Sequence, residues 1–117
     1  MSIINNYCIT HKHFDFLNNL KLNVILGGAQ IRNISEIPSN WLKDNSGDNI
    51  SYKNKSFGTL TSHYWVWKNQ LDKYNENDWI AFSQYRRLWI KKENQNEINL
   101  DNLNENLLIS MPNDKNF

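Results

Sequence analysis

Apolar residues along this chain come in short runs separated by polar stretches rich in asparagine. Tyr7 to Thr10 is one such run and predicts a first strand. Phe14, Leu17 and Leu20 recur at helical spacing, which predicts a short helix over residues 14–20. Asn23 to Leu26 predicts a second strand, stopped by Gly27-Gly28. Strand, helix and strand in quick succession favour a parallel sheet. Residues 29–58 carry few apolar anchors and predict a long irregular segment, with Trp41 and Ile50 able to pin it. Thr59 to Gln70 predicts the best helix. Its apolar stripe is Leu60, Tyr64, Trp67 and Leu71, and Ser56 or Thr59 could cap it. Residues 72–78 read as a polar connection to a third strand, Trp79 to Ser83. Asn94 to Asn106 predicts a weak surface helix or loop, and Leu107 to Met111 is a fourth apolar run that Pro112 ends.

The pattern predicts an α/β fold with a mainly parallel sheet and flanking helices. A length of 117 residues fits one domain, 1–117. Hydrophobic residues make up 39%, and five Trp, five Tyr and five Phe would make the core aromatic. A net charge of +1 argues against a general nucleic-acid binder. Cys8 is the only cysteine, which excludes an internal disulfide and fits a reducing compartment. In its apolar run it reads as a small buried side chain. No long apolar segment suggests a signal or a membrane span, so the expectation is a soluble, cytoplasmic chain.

The stretch WIAFSQYRRLWI (residues 79–90) poses the chemical question. Arg86 and Arg87 stand between two stretches that want to be dry. A guanidinium cannot be neutralised by burial, so each needs a carboxylate, carbonyls or a bound anion. Its forked donors suit a phosphate or diphosphate. The structural alternative pairs them with Asp44, Asp48 or Asp78. His11, Lys12 and His13 follow the first strand, where ligands of open parallel sheets gather. DNSGDNIS (residues 44–51) could accept bonds from sugar hydroxyls or a cation, or form an ordinary Asx-turn loop. His63 lies beside the apolar stripe and reads as structural. Trp65 and Trp67 lie on different faces of one helix, so one could stack on a sugar or both could pack.

Taken together, HK (11–12), GGA (27–29), SGDNISYKN (46–54), TLTSHYWVWKN (59–69) and WIAFSQYRRLW (79–89) resemble a bacterial family. Its members lie in capsular and exopolysaccharide biosynthesis clusters, are catalogued as a domain of unknown function and are regarded as GT-A-like glycosyltransferases. The resemblance runs over residues 7–112. Gln84 stands where the family has a histidine, and Thr59 where it has a glutamate. The chain is shorter than the usual family domain, so the resemblance is to its N-terminal part, a truncated, Rossmann-like GT-A sheet. It implies sugar transfer from a nucleotide-sugar donor to a glycan or lipid-linked glycan acceptor. The alternative is a non-catalytic carbohydrate- or nucleotide-binding remnant. On this resemblance His11, Lys12, Asp48, Asn49, Lys53, Tyr85, Arg86 and Arg87 would line the donor site, with Trp65 and Trp67 as sugar-stacking candidates. No general base is assigned. No D-x-D metal site is apparent, which leaves a divalent cation (Mg or Mn) open. Nucleic acid is not an expected partner, and peripheral membrane association is compatible with a lipid-linked acceptor.

Overall fold

The computed structural model describes residues 3–91 and 98–111. Four strands form one parallel sheet: β1 (Ile4–Thr10), β2 (Asn23–Leu26), β3 (Leu42–Lys43) and β4 (Trp79–Gln84). Their spatial order is β3-β2-β1-β4. The chain steps outward from β1 to β2 and β3, then returns to place β4 on the other side of β1. Between β1 and β4 the direction of winding therefore reverses. Crevices at the carboxyl ends of such strand pairs are where open α/β sheets bind ligands.

Both faces of the sheet are covered, as buried parallel strands require. Side chains alternate along a strand, so Tyr7 and Ile25 point to one face and Cys8 and Val24 to the other. Tyr7 and Ile25 pack with Trp65 and Val66. Cys8 and Val24 pack with Leu17 and Trp41, and Phe14, Phe16, Leu20 and Tyr85 lean on that cluster. Cys8 is fully buried, and burial pushes its thiol up to about 11. It is an unreactive core residue.

β1 starts three residues before the predicted strand because Asn5 and Asn6 hide its polar beginning. Both side chains bond across to β4. Asn5 donates to the Trp79 carbonyl, and Asn6 accepts from the Ser83 hydroxyl at 3.0 Å. The segment predicted as a helix over 14–20 holds only a single 3-10 turn, Asp15–Leu17. Its aromatic side chains are used to cover the sheet. Residues 29–58 contain more order than their composition suggests: β3, two 3-10 turns and the short helix α1 (Asn54–Phe57). Trp41 anchors this region as expected and is 5% exposed.

The main helix, α2 (Leu60–Asn69), is where predicted and turns the other way. Leu60 and Trp67, and Leu71 just beyond the helix, are exposed. The buried face is Thr61, Ser62, Trp65 and Val66. Hydrogen bonds decide this orientation, since Thr61 and Ser62 bind a buried carboxylate and Trp65 donates its indole N–H to Ser46. Neither Ser56 nor Thr59 caps the helix by its side chain. His63 lies on the half-buried flank and stacks on Phe82 at 3.9 Å.

After β4 the chain turns tightly, with Gln84 and Arg87 exchanging backbone hydrogen bonds at 3.2 and 3.0 Å. Ile90 and Leu107 then pair, as do Ile3 and Ser110. Helix α3 (Leu103–Asn106) accounts for part of the predicted polar helix or loop, and residues 92–97 and Pro112 lie outside the described residues. No helix among the described residues is long and apolar enough to cross a membrane.

Candidate anion site at the carboxyl ends of the strands

A cavity of about 200 Å³ opens where β1, β2 and β4 end. Ile9, Thr10 and His11 come from the end of β1, Gly27 from β2, and Gln84 and Tyr85 from β4. Arg32, Asn54, Gly58 and Thr59 close the other side. No acidic residue is in this lining.

The cations around it are arranged by named contacts. His11 sits against the rings of Tyr85 (5.1 Å) and Phe14 (5.8 Å), which are themselves stacked at 4.4 Å. Arg86 lies with its guanidinium carbon 5.6 Å from the Tyr85 ring, and the Lys12 ammonium is 5.2 Å from Phe14. Desolvation, and then the charges of Arg32, Lys12 and Arg86, hold the His11 imidazole below its ordinary value. Three cations thus act on the ring, and no carboxylate among the described residues offsets them. Among the described residues the only ion pair is His13 with Asp15, at 3.6 Å. Neither Arg86 nor Arg87 is paired with an acid among the described residues. Asp44 and Asp48 accept from other partners, and Asp78 accepts from the Asn75 amide.

Arg32 was not among the residues expected from the sequence. Its Nε donates to the Gly27 carbonyl and its Nη2 to Asn54 Oδ1, both at 2.7 Å. The guanidinium is thereby clamped at the cavity wall with donors to spare. Asn54 passes the connection inward. It donates to the Gly58 carbonyl at 2.9 Å and to the Thr61 hydroxyl at 3.0 Å, and Thr61 donates to Asp44 at 2.7 Å.

Asp44 is the hub beneath the site. It is fully buried, and its two oxygens accept from the Gly28 and Ala29 amides, Ser51, Thr61 and Ser62. One carboxylate therefore ties together the turn after β2, the segment after β3 and the start of α2. Gly28 serves the same turn with a φ of +69°, and an added Cβ would lie 2.5 Å from Asn54 Cγ. Gly28→Ala is expected to cost about 1–2 kcal/mol for the left-handed backbone alone. It should also displace Asn54 from Arg32. A urea melt beside an anion titration checks both effects.

Residues 5–115 match a family profile described as "Domain of unknown function (DUF4422)". The chain belongs to the DUF4422 family. Searches of curated proteins and of solved structures return no match.

Within this DUF4422 domain the residues predicted from sequence separate into groups. His11 and Tyr85 line the cavity, and Lys12 and Arg86 stand beside it. Arg87 lines a different cavity, beyond Gln84. Asp48, Asn49 and Lys53 are not in the lining. Asp48 accepts from the Tyr64 hydroxyl at 2.8 Å, Asn49 closes a turn onto the Gly47 carbonyl, and the exposed Lys53 lies over Tyr52. Trp65 is 4% exposed and its N–H is taken, so it has no face for a sugar. Trp67 is exposed on α2 with the Lys68 ammonium 3.9 Å from its ring. Among the described residues no group of three or more His, Cys, Asp or Glu could hold a metal.

His11 and His63 also set an acid limit. Burial is the leading cause that lowers both from 6.5. Below that value the unfolded chain therefore binds more protons than the folded one, and stability rises with pH across that window. The melting temperature should be level above pH 6.5 and fall on acidification below it. A double variant, His11→Asn with His63→Asn, should flatten the histidine part of that fall.

Proposed function

We propose that this chain is a nucleotide-sugar-binding domain of a glycosyltransferase, with the donor's diphosphate held at the carboxyl ends of β1, β2 and β4. The observation that carries the reading is the cavity lined by His11 and Arg32, flanked by Lys12 and Arg86, with no acid in its wall. Sugar transfer breaks the bond between the sugar's anomeric carbon and a diphosphate oxygen while an acceptor hydroxyl adds to that carbon. Negative charge grows on the departing diphosphate, and preorganised cationic donors stabilise it where it develops. Arg32, held at both ends of its fork, suits that role because little reorganisation is needed. The acceptor would be a glycan or lipid-linked glycan, in surface polysaccharide synthesis.

A second reading, a binding domain without transfer, has its own support. Thr59 and Gln84, which depart from the resemblance to a Glu and a His, both line this cavity. The wall then offers no carboxylate to deprotonate an acceptor.

The test is heat stabilisation by uridine diphosphate and by a panel of nucleotide-sugars, followed by assay of sugar release or transfer. Stabilisation with turnover supports the transferase. Stabilisation without turnover supports the binding domain. No stabilisation by any nucleotide removes the transferase and the nucleotide-binding domain alike, and leaves a binding domain for carbohydrate only.

A further inference from the structure

We infer that the two adjacent arginines serve different ligands: Arg87 and Trp89 form a separate site for an acidic sugar, a pyranose that carries a carboxylate. This rests on the reading above, in which a glycan is the second substrate.

The turn after β4 sends the two side chains apart. The Gln84–Arg87 backbone pair fixes that turn from both sides. Arg86 lies beside Tyr85, at the edge of the anion site, and its charge acts on His11. Arg87 instead lines a cavity of about 310 Å³ with Phe82, Ser83, Gln84, Leu88 and Trp89. Gln84 lines both cavities, so the two sites share one wall. A donor and an acceptor that react with each other need such neighbouring sites.

The chemistry of the second cavity is unlike that of the first. Its wall is mostly apolar and holds a single charge. Trp89 donates its indole N–H to the Phe82 carbonyl at 2.8 Å, which fixes the ring, yet 51% of the residue stays exposed. A fixed, open indole offers a flat apolar surface to the C–H face of a pyranose. Arg87 is exposed and has no acidic partner among the described residues. Its planar fork matches a carboxylate in bidentate fashion. A neutral sugar would use the indole and leave that fork to water. A uronate-type sugar uses both.

The probes are a glucuronate-containing oligosaccharide and the same oligosaccharide with its carboxyl groups reduced, titrated calorimetrically into the full chain. The acidic form should bind roughly tenfold more tightly, as a charge-assisted pair predicts. Arg87→Ala should abolish that preference while leaving uridine diphosphate affinity within about twofold, since the phosphate site is built from other groups. Arg87→Lys should restore only part of it, because an ammonium lacks the fork. Trp89→Ala should weaken both oligosaccharides. Melting curves check that each variant is folded, which is expected because both side chains are exposed. Equal binding of the two oligosaccharides overturns the inference. So does an Arg87→Ala variant that loses diphosphate affinity as fully as Arg86→Ala. A preference for the acidic form in a chain that binds no nucleotide would keep this site and remove the transferase reading.

Discussion

Replacing Asp44 by alanine is expected to destabilise the fold by about 3–5 kcal/mol, the largest effect of any substitution considered. The carboxylate receives two backbone amides and three hydroxyls in a fully buried position. Alanine leaves those donors without an acceptor, and each buried orphan costs about 1–3 kcal/mol before relaxation and water recover part of it. Domains of this size are stable by only about 5–15 kcal/mol. The variant should therefore unfold at a much lower urea concentration. Asp44→Asn separates charge from shape. It keeps one oxygen, but its amide group would face donors such as the Thr61 hydroxyl or the Ala29 amide. Most of the loss should remain. A loss under about 1 kcal/mol in Asp44→Ala would show that the network is not what holds α2 to the β2 turn.

Replacing Arg32 by alanine is expected to weaken nucleoside diphosphate binding by roughly tenfold to a hundredfold, the range of one or two charge-assisted hydrogen bonds. Arg32 also bonds Gly27 and Asn54, so a modest fall in melting temperature should accompany the change. Arg32→Lys discriminates between the two contributions. It restores charge to the cavity without the fork, and should recover part of the affinity and little of the melting temperature. The same site carries a pH signature. An anion beside His11 offsets the three cations that disfavour its protonation, so binding should draw a proton onto the ring. Sulfate has a constant charge across this range and is a clean probe. Its affinity should rise as pH falls below 6.5, and His11→Asn should remove that rise. Sulfate binding that ignores pH would place the anion away from His11.

The strands that build the sheet could be read from apolar runs because parallel strands are buried on both faces. The Tyr7 and Asn23 runs and the Trp79 run all became strands. β3 could not be read, since two residues carry no periodicity and Leu42–Lys43 pairs only because β2 offers an edge. The buried face of α2 differs from the expected stripe for another reason. Hydropathy scores Leu60 and Trp67 as core, and Thr61 and Ser62 as surface. A buried Asp44 reverses that ranking, and a carboxylate's burial depends on partners far apart in sequence. Asp44 itself stood in plain view within DNSGDNIS, where a turn-forming loop was one expectation. Its donors at Gly28, Ser51 and Thr61 are each unremarkable alone. Arg32 lies in a polar segment without a motif, so nothing in the sequence singles it out. The adjacent arginines read as a pair, whereas the fold leaves Arg86 beside Tyr85 and places Arg87 in the wall of another cavity. A doublet in sequence says nothing about divergence at a turn.

The central claim, that a phosphate-bearing ligand binds where β1, β2 and β4 end, can be read residue by residue. Uridine diphosphate would be titrated into isotopically labelled protein while backbone amide and arginine Nε signals are followed. The account predicts saturable shifts at His11, Lys12, Gly27, Gly28, Arg32, Tyr85 and Arg86, with Trp67 and Lys53 unmoved. Shifts confined to the surface of α2, or spread weakly over exposed lysines without saturation, would contradict it.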